Sequence, residues 1–374
     1  MSTPRTRVSI EIAPELACPH CGGPLDADAG ALRCARDGDV AGFADNIVEF
    51  DRSAMYWGEL TQETMRALLD DAARDGWRPA VAAHVTDPEL ARYITDPTRG
   101  DWQWLLRLDR KKTVAVDVGA GLGANSFALA PNVRRVYAVE KIAERVGFVA
   151  LRAAQDGAAV VPVRADLHAL PFAPASIDVF VVNGVLEWAG LVDPQPMAGR
   201  AATPRSLQER FLRRLHCLLR PGGCIYIGIE NRFGEMFWRG TPDHQGLRYT
   251  SLMPRPLARA YTFARAAAAP RTYRRERDYR TYTYSLAATR RLVESCGFDA
   301  VEIWSVAPGY NVPTRIVPLA DRNAMRWFAS RTRGASSLRN RARDALRRGL
   351  ANTGLAAQTA SCFALVARRP EERS

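Results

Sequence analysis

The hydrophobic pattern of the chain changes its period partway along. Residues 53–110 carry apolar side chains at helical spacing, with Met65 and Leu68 on one face and acidic side chains on the other. From residue 113 onward, short β-branched runs alternate with amphipathic stretches, which is typical of parallel strands joined by crossover helices. The pattern predicts an α/β doubly wound domain over 111–370, preceded by a helical segment that is either a lid or a packing layer.

Residues 1–52 combine short apolar pairs with glycine turns. They hold three of the seven cysteines: Cys18, Cys21 and Cys34. An odd number of cysteines without an apolar leader favours free thiols or a metal site over disulfides. A closed zinc site needs four ligands, so either Asp37 or His20 would complete the set. The segment resembles a degenerate zinc ribbon, which either binds zinc weakly or keeps only a packing role.

The motif that carries the most chemistry is VDVGAGLGAN at 116–125. Its glycines follow a buried strand and let the backbone turn tightly beside a ligand: Gly119, Gly121 and Gly123. The spacing Gly-x-Gly-x-Gly, with Asp117 at the end of the strand, differs from the Gly-x-Gly-x-x-Gly of dinucleotide-binding loops. A carboxylate beside the loop disfavours a pyrophosphate and favours a cation, such as the sulfonium and ammonium groups of S-adenosylmethionine.

Polar residues follow the next strands in the order that such a ligand needs. Glu140 ends the second strand of the domain, where a carboxylate can accept hydrogen bonds from both ribose hydroxyls, and Lys141 follows it. Asp166 ends the third strand, where it would accept a hydrogen bond from the adenine amino group while Leu167 covers the ring. Asn183 ends the fourth strand, and we expect it at the methionine end of the cofactor.

These motifs, in this order over residues 113–231, resemble the class I S-adenosylmethionine-dependent methyltransferases. The resemblance implies a seven-stranded, Rossmann-like doubly wound sheet whose last strand, at 360–367, runs antiparallel. It also implies that the cofactor and the methyl acceptor bind at the carboxyl ends of the strands. A looser resemblance over 53–368 links the chain to uncharacterised bacterial methyltransferases of surface-glycan and secondary-metabolite clusters.

Methyl transfer to a hydroxyl needs a group that takes its proton. His244 lies in an insertion after the fifth strand, expected at the carboxyl end of the sheet, and is our first candidate for the general base. Glu187 and Glu230 are its rivals, since one follows the fourth strand and the other ends the fifth. The Asn/Asp-Pro-Pro-aromatic motif of enzymes that methylate nucleic-acid amines does not follow the fourth strand, which favours an oxygen acceptor.

Positive charge is concentrated in two segments of the chain. The net charge is +12, and only three of the 52 basic residues are lysine. Residues 251–283 hold eight arginines against two acids, and residues 321–348 hold nine against two. Both segments fall in insertions, 232–283 and 308–358, that we expect to leave the sheet at its carboxyl end. They predict a cationic rim that attracts an anionic acceptor.

The class of acceptor stays open among acidic metabolites, glycan-type substrates and RNA, which the charge also favours. A cofactor-binding accessory subunit without catalysis is a further alternative. The arginine-rich helix near 336–350 is also compatible with contact to an anionic membrane surface. No run approaches the roughly 20 apolar residues of a membrane span, and the N-terminus lacks an apolar leader, so we expect a cytoplasmic protein.

Overall fold

The computed structural model describes residues 13–28, 30–44, 46–191, 202–266, 279–331 and 338–371. These residues fold as two compact units. The first unit takes its described residues from Met1–Thr95, Leu108–Val179 and Cys217–Pro221, and the second from Asp96–Arg107, Phe180–His216 and Gly222–Ser374. The domain boundaries expected after residues 52 and 110 stay a prediction.

Strands and helices alternate over residues 114–164, as the change of period predicts. The strands are β1 (Leu25–Asp28), β2 (Ala31–Cys34), β3 (Gly38–Ala44), β4 (Ile47–Glu49), β5 (Val114–Val118), β6 (Arg135–Glu140), β7 (Val160–Arg164), β8 (Ile177–Asn183), β9 (Leu219–Glu230), β10 (Asp299–Ala307), β11 (Arg315–Pro318) and β12 (Cys362–Arg368). The α-helices are α1 (Gln62–Asp75), α2 (Trp77–His84), α3 (Pro88–Thr95), α4 (Ala124–Leu129), α5 (Ala143–Asp156), α6 (Pro204–Leu218), α7 (Glu235–Trp238), α8 (Arg255–Ala266), α9 (Leu286–Ser295), α10 (Arg322–Arg331), α11 (Leu338–Thr353) and α12 (Ala356–Thr359). Within the described ranges, no helix is both long and apolar enough to cross a bilayer.

The sheet of the first unit runs in the order β1-β2-β3-β4-β7-β6-β5. Strands β5, β6 and β7 are parallel, with Val116 opposite Tyr137 and Tyr137 opposite Val161. They are buried along nearly their whole length, as a parallel sheet covered on both faces requires. Strand β4 joins β7 in parallel, with Val48 opposite Val163, so the N-terminal strands extend this sheet.

In the second unit the strand order is β8-β9-β12-β10-β11. Strand β12 runs antiparallel to both neighbours, with Leu365 opposite Ile227 of β9 and Ile303 of β10. The expected antiparallel last strand is thereby confirmed. Strand β11 folds back on β10, with Ile316 opposite Val306.

The expected number of seven strands is wrong, because the described residues form twelve. Seven of these, β5 to β10 and β12, make up the number that the resemblance implies. The other five, β1 to β4 and β11, join at edges of the sheet, where an edge strand offers unpaired N–H and C=O groups to a further strand. Strands β4 and β11 have only three and four residues, too few to show a period in the sequence.

Helices α1 to α3 cover an apolar cluster in the first unit. Helix α1 begins after Thr61, whose hydroxyl accepts a hydrogen bond from the first turn, and ends at Gly76, whose φ of 99° suits glycine. Its buried Leu68 belongs to the same cluster as Leu122 and Phe148. The helical segment expected before the first strand of the domain is thus present and packs with the glycine loop, to which Leu122 belongs.

We expect Leu68→Ala to lower the free energy of unfolding by about 2–5 kcal/mol, because it removes a fully buried side chain and leaves a cavity. Urea unfolding followed by tryptophan fluorescence measures the change. Leu257→Ala is the matched control, since Leu257 is 55% exposed in the interior of α8 and its loss should cost less than about 0.5 kcal/mol. Equal effects of the two substitutions would contradict the described core.

Candidate functional site

The glycine loop follows β5 and leads into α4. Gly119, Gly121 and Gly123 have φ values of 66°, 57° and 79°, a left-handed conformation that glycine adopts without strain. The amide of Ala120 donates to the carbonyl of Val139 at 2.9 Å, which ties the loop to β6. A Cβ atom added to Gly121 would meet no heavy atom closer than 3.9 Å, so the backbone here borders an open cradle.

Two buried carboxylates flank the loop. Asp117 is 1% exposed, and its Oδ2 accepts a hydrogen bond from the Ser126 hydroxyl at 2.6 Å. Glu140 accepts from the amide of Gly121 at 3.0 Å through Oε2, and from the amides of Lys141 at 2.7 Å and Ile142 at 3.0 Å through Oε1. An ionised carboxylate has about four acceptor positions, so Glu140 keeps capacity for a ligand hydroxyl.

Asp166 and Lys141 contact each other directly. Lys141 Nζ lies 2.5 Å from Asp166 Oδ2 and 3.6 Å from Asp51 Oδ2, and the His168 amide donates to Asp166 Oδ1 at 2.8 Å. Burial opposes the charge on Lys141, but the two carboxylates outweigh it and raise its pKa. Leu167, predicted to cover the adenine, is half-buried beside Asp166.

Arg145 is a residue of this region that sequence reasoning missed. It is 7% exposed, and its Nη1 lies 3.9 Å from Glu140 Oε2 and 4.0 Å from the position of a Cβ on Gly121. It also pairs with Glu59 from the segment before α1. Burial disfavours the charged guanidinium, but Glu140 and Glu59 raise its pKa. The sequence feature that could have indicated Arg145 is its position five residues after Glu140, in the first turn of α5.

The predicted metal ligands of the N-terminal segment lie together. Cys18 Sγ is 3.1 Å and Cys34 Sγ 3.5 Å from Asp37 Oδ2, and Cys21 Sγ is 3.3 Å from Cys34 Sγ. All four ligand atoms lie within 4.8 Å of one another. Three thiols and one carboxylate suit the four-coordinate sites of zinc. Asp37 occupies the fourth position, and His20 is not part of the cluster.

The three predicted catalytic residues also lie together, in the second unit. His244 Nε2 is 3.2 Å from Glu230 Oε2 and 3.6 Å from Glu187 Oε1. The Tyr310 hydroxyl donates to the other oxygen of Glu230 at 2.9 Å, and the Trp188 ring lies 4.8 Å from the His244 ring. We call Glu187, Glu230 and His244 the carboxylate–histidine cluster.

Burial and mutual contact shift the pKa of each member of this cluster. Burial raises the pKa of Glu187 to about 8, and the charge of Glu230 adds to that shift. Burial also opposes ionisation of Glu230, but His244 and the Tyr310 hydroxyl outweigh it and hold the Glu230 pKa below its usual range. Burial disfavours a charged His244, yet the carboxylates raise its pKa to about 9. The cluster therefore favours one positive charge beside Glu230.

Tyr310 and Asn183 pack beside the cluster. The Tyr310 ring fills the space of a side chain at Gly184, where a Cβ would lie 2.8 Å away. Asn183 is buried, and a Cβ on Gly228 would lie 2.0 Å from its Oδ1, so glycine is required there. Sequence reasoning assigned no role to Tyr310, because nothing near it in the chain marks its contact with Glu230.

Several arginines of the two insertions are used within the fold. Arg280 donates to the carbonyl of Gly190 at 2.9 Å, and Arg347 pairs with Glu235 at 2.7 Å. Other arginines of the two segments are exposed, among them Arg259, Arg265, Arg341 and Arg348. Some lie outside the described residues: Arg271, Arg274, Arg275, Arg277 and Arg333. The cationic rim stays a prediction.

Comparison with known proteins gives one family match. Residues 116–227 match the model of the methyltransferase domain. A search of curated proteins gives no match. The matched residues include the glycine loop, Glu140, Asp166, Asn183 and Glu187.

Several solved structures are similar to this chain at low identity and low TM-score. Phosphoethanolamine N-methyltransferase 2 of Haemonchus contortus, bound to phosphomonomethylethanolamine and S-adenosylhomocysteine, is 13% identical with a TM-score of 0.43, covering 84% of this chain and 62% of that chain. An S-adenosylmethionine-dependent methyltransferase of Aquifex aeolicus is 12% identical with a TM-score of 0.40, covering 78% and 98%. The [4+2]-cyclase SpnF is 15% identical with a TM-score of 0.42, covering 83% and 96%. The chain spans about three fifths of the length of the Haemonchus enzyme. The glycine loop and its two carboxylates thus lie in a segment that matches a methyltransferase domain.

Proposed function

We propose that this protein transfers a methyl group from S-adenosylmethionine to an oxygen of an anionic acceptor, either a small metabolite or a glycan. The observation that carries the proposal is the pair of buried carboxylates, Asp117 and Glu140, at a loop of three left-handed glycines inside the methyltransferase match. The cofactor supplies an electrophilic methyl group on a sulfonium. Buried carboxylates favour that positive charge.

The residues of the first unit suit the other parts of the cofactor. The remaining acceptor position of Glu140 suits a ribose hydroxyl, and the open cradle at Gly121 admits a ligand close to the backbone. Asp166 and Leu167 would receive the adenine, with Lys141 holding the Asp166 carboxylate in place. The sequence-based expectation that Asn183, a residue of the second unit, lies at the methionine end stays a prediction.

The carboxylate–histidine cluster is proposed to activate the acceptor. His244, Glu187 and Glu230 are three chemically active side chains in one buried place, and Trp188 gives that place an aromatic wall. A group that takes or stabilises the acceptor's proton contributes to the rate of oxygen methylation. We therefore propose all three as catalytic residues.

The excess of arginine supports an acidic acceptor. Exposed guanidinium groups attract anions at long range and bind phosphate or carboxylate through paired hydrogen bonds. Arg341 and Arg348 are exposed on α11, and Arg259 and Arg265 on α8. The same guanidinium groups would attract RNA, so RNA is one of the acceptors to be assayed.

The Cys18, Cys21, Cys34 and Asp37 cluster is proposed to hold zinc. The three sulfurs and the carboxylate lie as close together as one four-coordinate ion needs. Its role would be structural, because four protein ligands leave no open position. The hairpins that carry these ligands lead into β4, which pairs with β7 of the core sheet.

Glu140→Ala should weaken S-adenosylhomocysteine binding by about 10–100-fold, because hydrogen bonds to a charged group contribute roughly 1.5–3 kcal/mol. Calorimetric titration measures the dissociation constant. Glu63→Ala removes an exposed acid of the same unit and should leave binding unchanged. Equal loss in the two variants, or none in either, would place the cofactor elsewhere.

His244→Gln should lower turnover by about 10²–10⁴-fold, the usual contribution of a group that handles the acceptor's proton. The assay follows labelled methyl transfer to acidic sugars, phosphorylated metabolites, their neutral counterparts and RNA. His84→Gln is the control, since His84 pairs with Asp71 in the first unit and has no assigned role in the reaction. S-adenosylhomocysteine affinity should be unchanged in both variants. Full turnover of His244→Gln would refute the catalytic role of His244. Transfer only to neutral acceptors would refute the proposal of an anionic acceptor.

Cys21→Ser should lose one equivalent of bound zinc relative to the wild-type chain, because it removes one of four ligands. Zinc content is measured by mass spectrometry, and the thermal midpoint should fall with it. Cys217→Ser is the control, because Cys217 is an exposed thiol outside the cluster. A zinc content that is the same in both variants would rule out the proposed site.

A further inference from the structure

Glu187 is a buried acid that has an ion-pair neighbour, His244, but whose carboxyl group accepts no hydrogen bond from the residues that the structure describes. Its side chain is 0% exposed, and neither carboxylate oxygen has a hydrogen-bond partner among the residues that the structure describes. Buried acids in proteins are hydrogen-bonded, paired or bound to metals, because an isolated buried carboxylate is very costly. Both carboxyl oxygens of Glu187 can therefore accept a further partner.

The surroundings of Glu187 point to what that partner is. Glu187 Oε1 lies 3.6 Å from His244 Nε2, and Glu230 Oε2 lies 3.2 Å from the same nitrogen. One ligand atom from each residue lies within 4.8 Å of the other two. Atoms that bind one ion at about 2.0–2.2 Å lie roughly 3.0–3.6 Å apart, so these separations suit a shared ion. We propose that Glu187, Glu230 and His244 bind a divalent metal cation.

The charges and donor types of the cluster fit such an ion. Two carboxylates balance a charge of two, and the imidazole of His244 adds a nitrogen ligand once a binding cation has displaced its proton. Two oxygens and one nitrogen suit manganese, iron or zinc, whereas magnesium prefers oxygen alone. Three protein ligands leave coordination positions open for a substrate oxygen, as in catalytic metal sites.

Tyr310 acts as the positioning residue of this site. Its hydroxyl donates to Glu230 Oε1 at 2.9 Å, which leaves Oε2 directed at His244 and the ion. Groups that hydrogen-bond a metal ligand in this way fix its orientation. The site differs from the cysteine cluster of the first unit, whose thiolates favour zinc or other soft ions.

The role of the cation in catalysis rests on the proposed function, whereas its binding does not. A bound acceptor hydroxyl loses its proton to water more readily when its oxygen contacts a divalent cation. That oxygen then forms the new C–O bond to the methyl carbon while the C–S bond breaks. The electron pair of the C–S bond stays on sulfur and gives S-adenosylhomocysteine.

Manganese titration of the EDTA-treated full-length chain tests the proposal. Electron paramagnetic resonance of free Mn²⁺ measures binding, and spin-echo modulation detects a coordinated imidazole nitrogen. We expect one Mn²⁺ site with nitrogen modulation in the wild-type chain. Glu187→Gln should weaken Mn²⁺ binding by more than the 10–100-fold that is typical when a residue contacting a metal ligand is changed. His244→Gln should abolish the nitrogen modulation of the spin echo. Tyr310→Phe should weaken binding less than Glu187→Gln does.

Two controls locate the ion and check folding. Glu302→Gln neutralises an exposed acid of β10, and Cys21→Ser removes a ligand of the other cluster, so both should retain the Mn²⁺ site. Retained S-adenosylhomocysteine binding in Glu187→Gln shows that the variant is folded. Absence of Mn²⁺ binding in the wild-type chain, or unchanged binding in folded Glu187→Gln, would overturn the proposal. Methyl transfer that continues in the presence of EDTA would overturn the catalytic role of the cation. Metal binding without methyl transfer would support the metal site and refute the proposed function.

Discussion

Three backbone amides converge on the buried carboxylate of Glu140, and the cofactor side of the protein depends on this arrangement. The amides come from Gly121 in the glycine loop and from Lys141 and Ile142 at the start of the next connection. Leaving such buried groups without partners would cost about 1–3 kcal/mol each. The carboxylate thus holds the loop to the end of β6, and one acceptor position remains for the proposed cofactor. One side chain serves both the fold and the proposed cofactor site.

The sequence predicts those parts of the molecule that local patterns encode. The change of hydrophobic period indicates the parallel strands, and the positions of Asp117, Glu140 and Asp166 follow from where those strands end. The five additional strands could not be predicted, because β4 and β11 are short and depend on edges formed by distant residues. Arg145 and Tyr310 were not predicted either, because their importance comes from contacts that only the fold brings about. Arg145 lies near Glu140, and Tyr310 contacts Glu230, which is 80 residues away in the chain.

The arginines of the two insertions fall into two groups, those that bond other residues of the fold and those that are exposed. Arg280 and Arg347 hold carbonyl or carboxylate groups inside the second unit, so part of the excess charge is structural. Other arginines of α8 and α11 are exposed. The carboxylate–histidine cluster carries the opposite sign, since two buried acids meet one imidazole. An acceptor with an acidic group and a hydroxyl, the first drawn to arginine and the second to a cation at the cluster, fits both features.

A crystal structure with S-adenosylhomocysteine tests the central claim most directly. We predict that a ribose hydroxyl binds the Glu140 carboxylate, with the adenine beside Asp166 and Leu167 and the backbone of Gly121 against the ligand. Density for the ligand at any other place, or crystals that remain ligand-free at saturating concentration, would contradict the assignment of this protein as an S-adenosylmethionine-dependent methyltransferase.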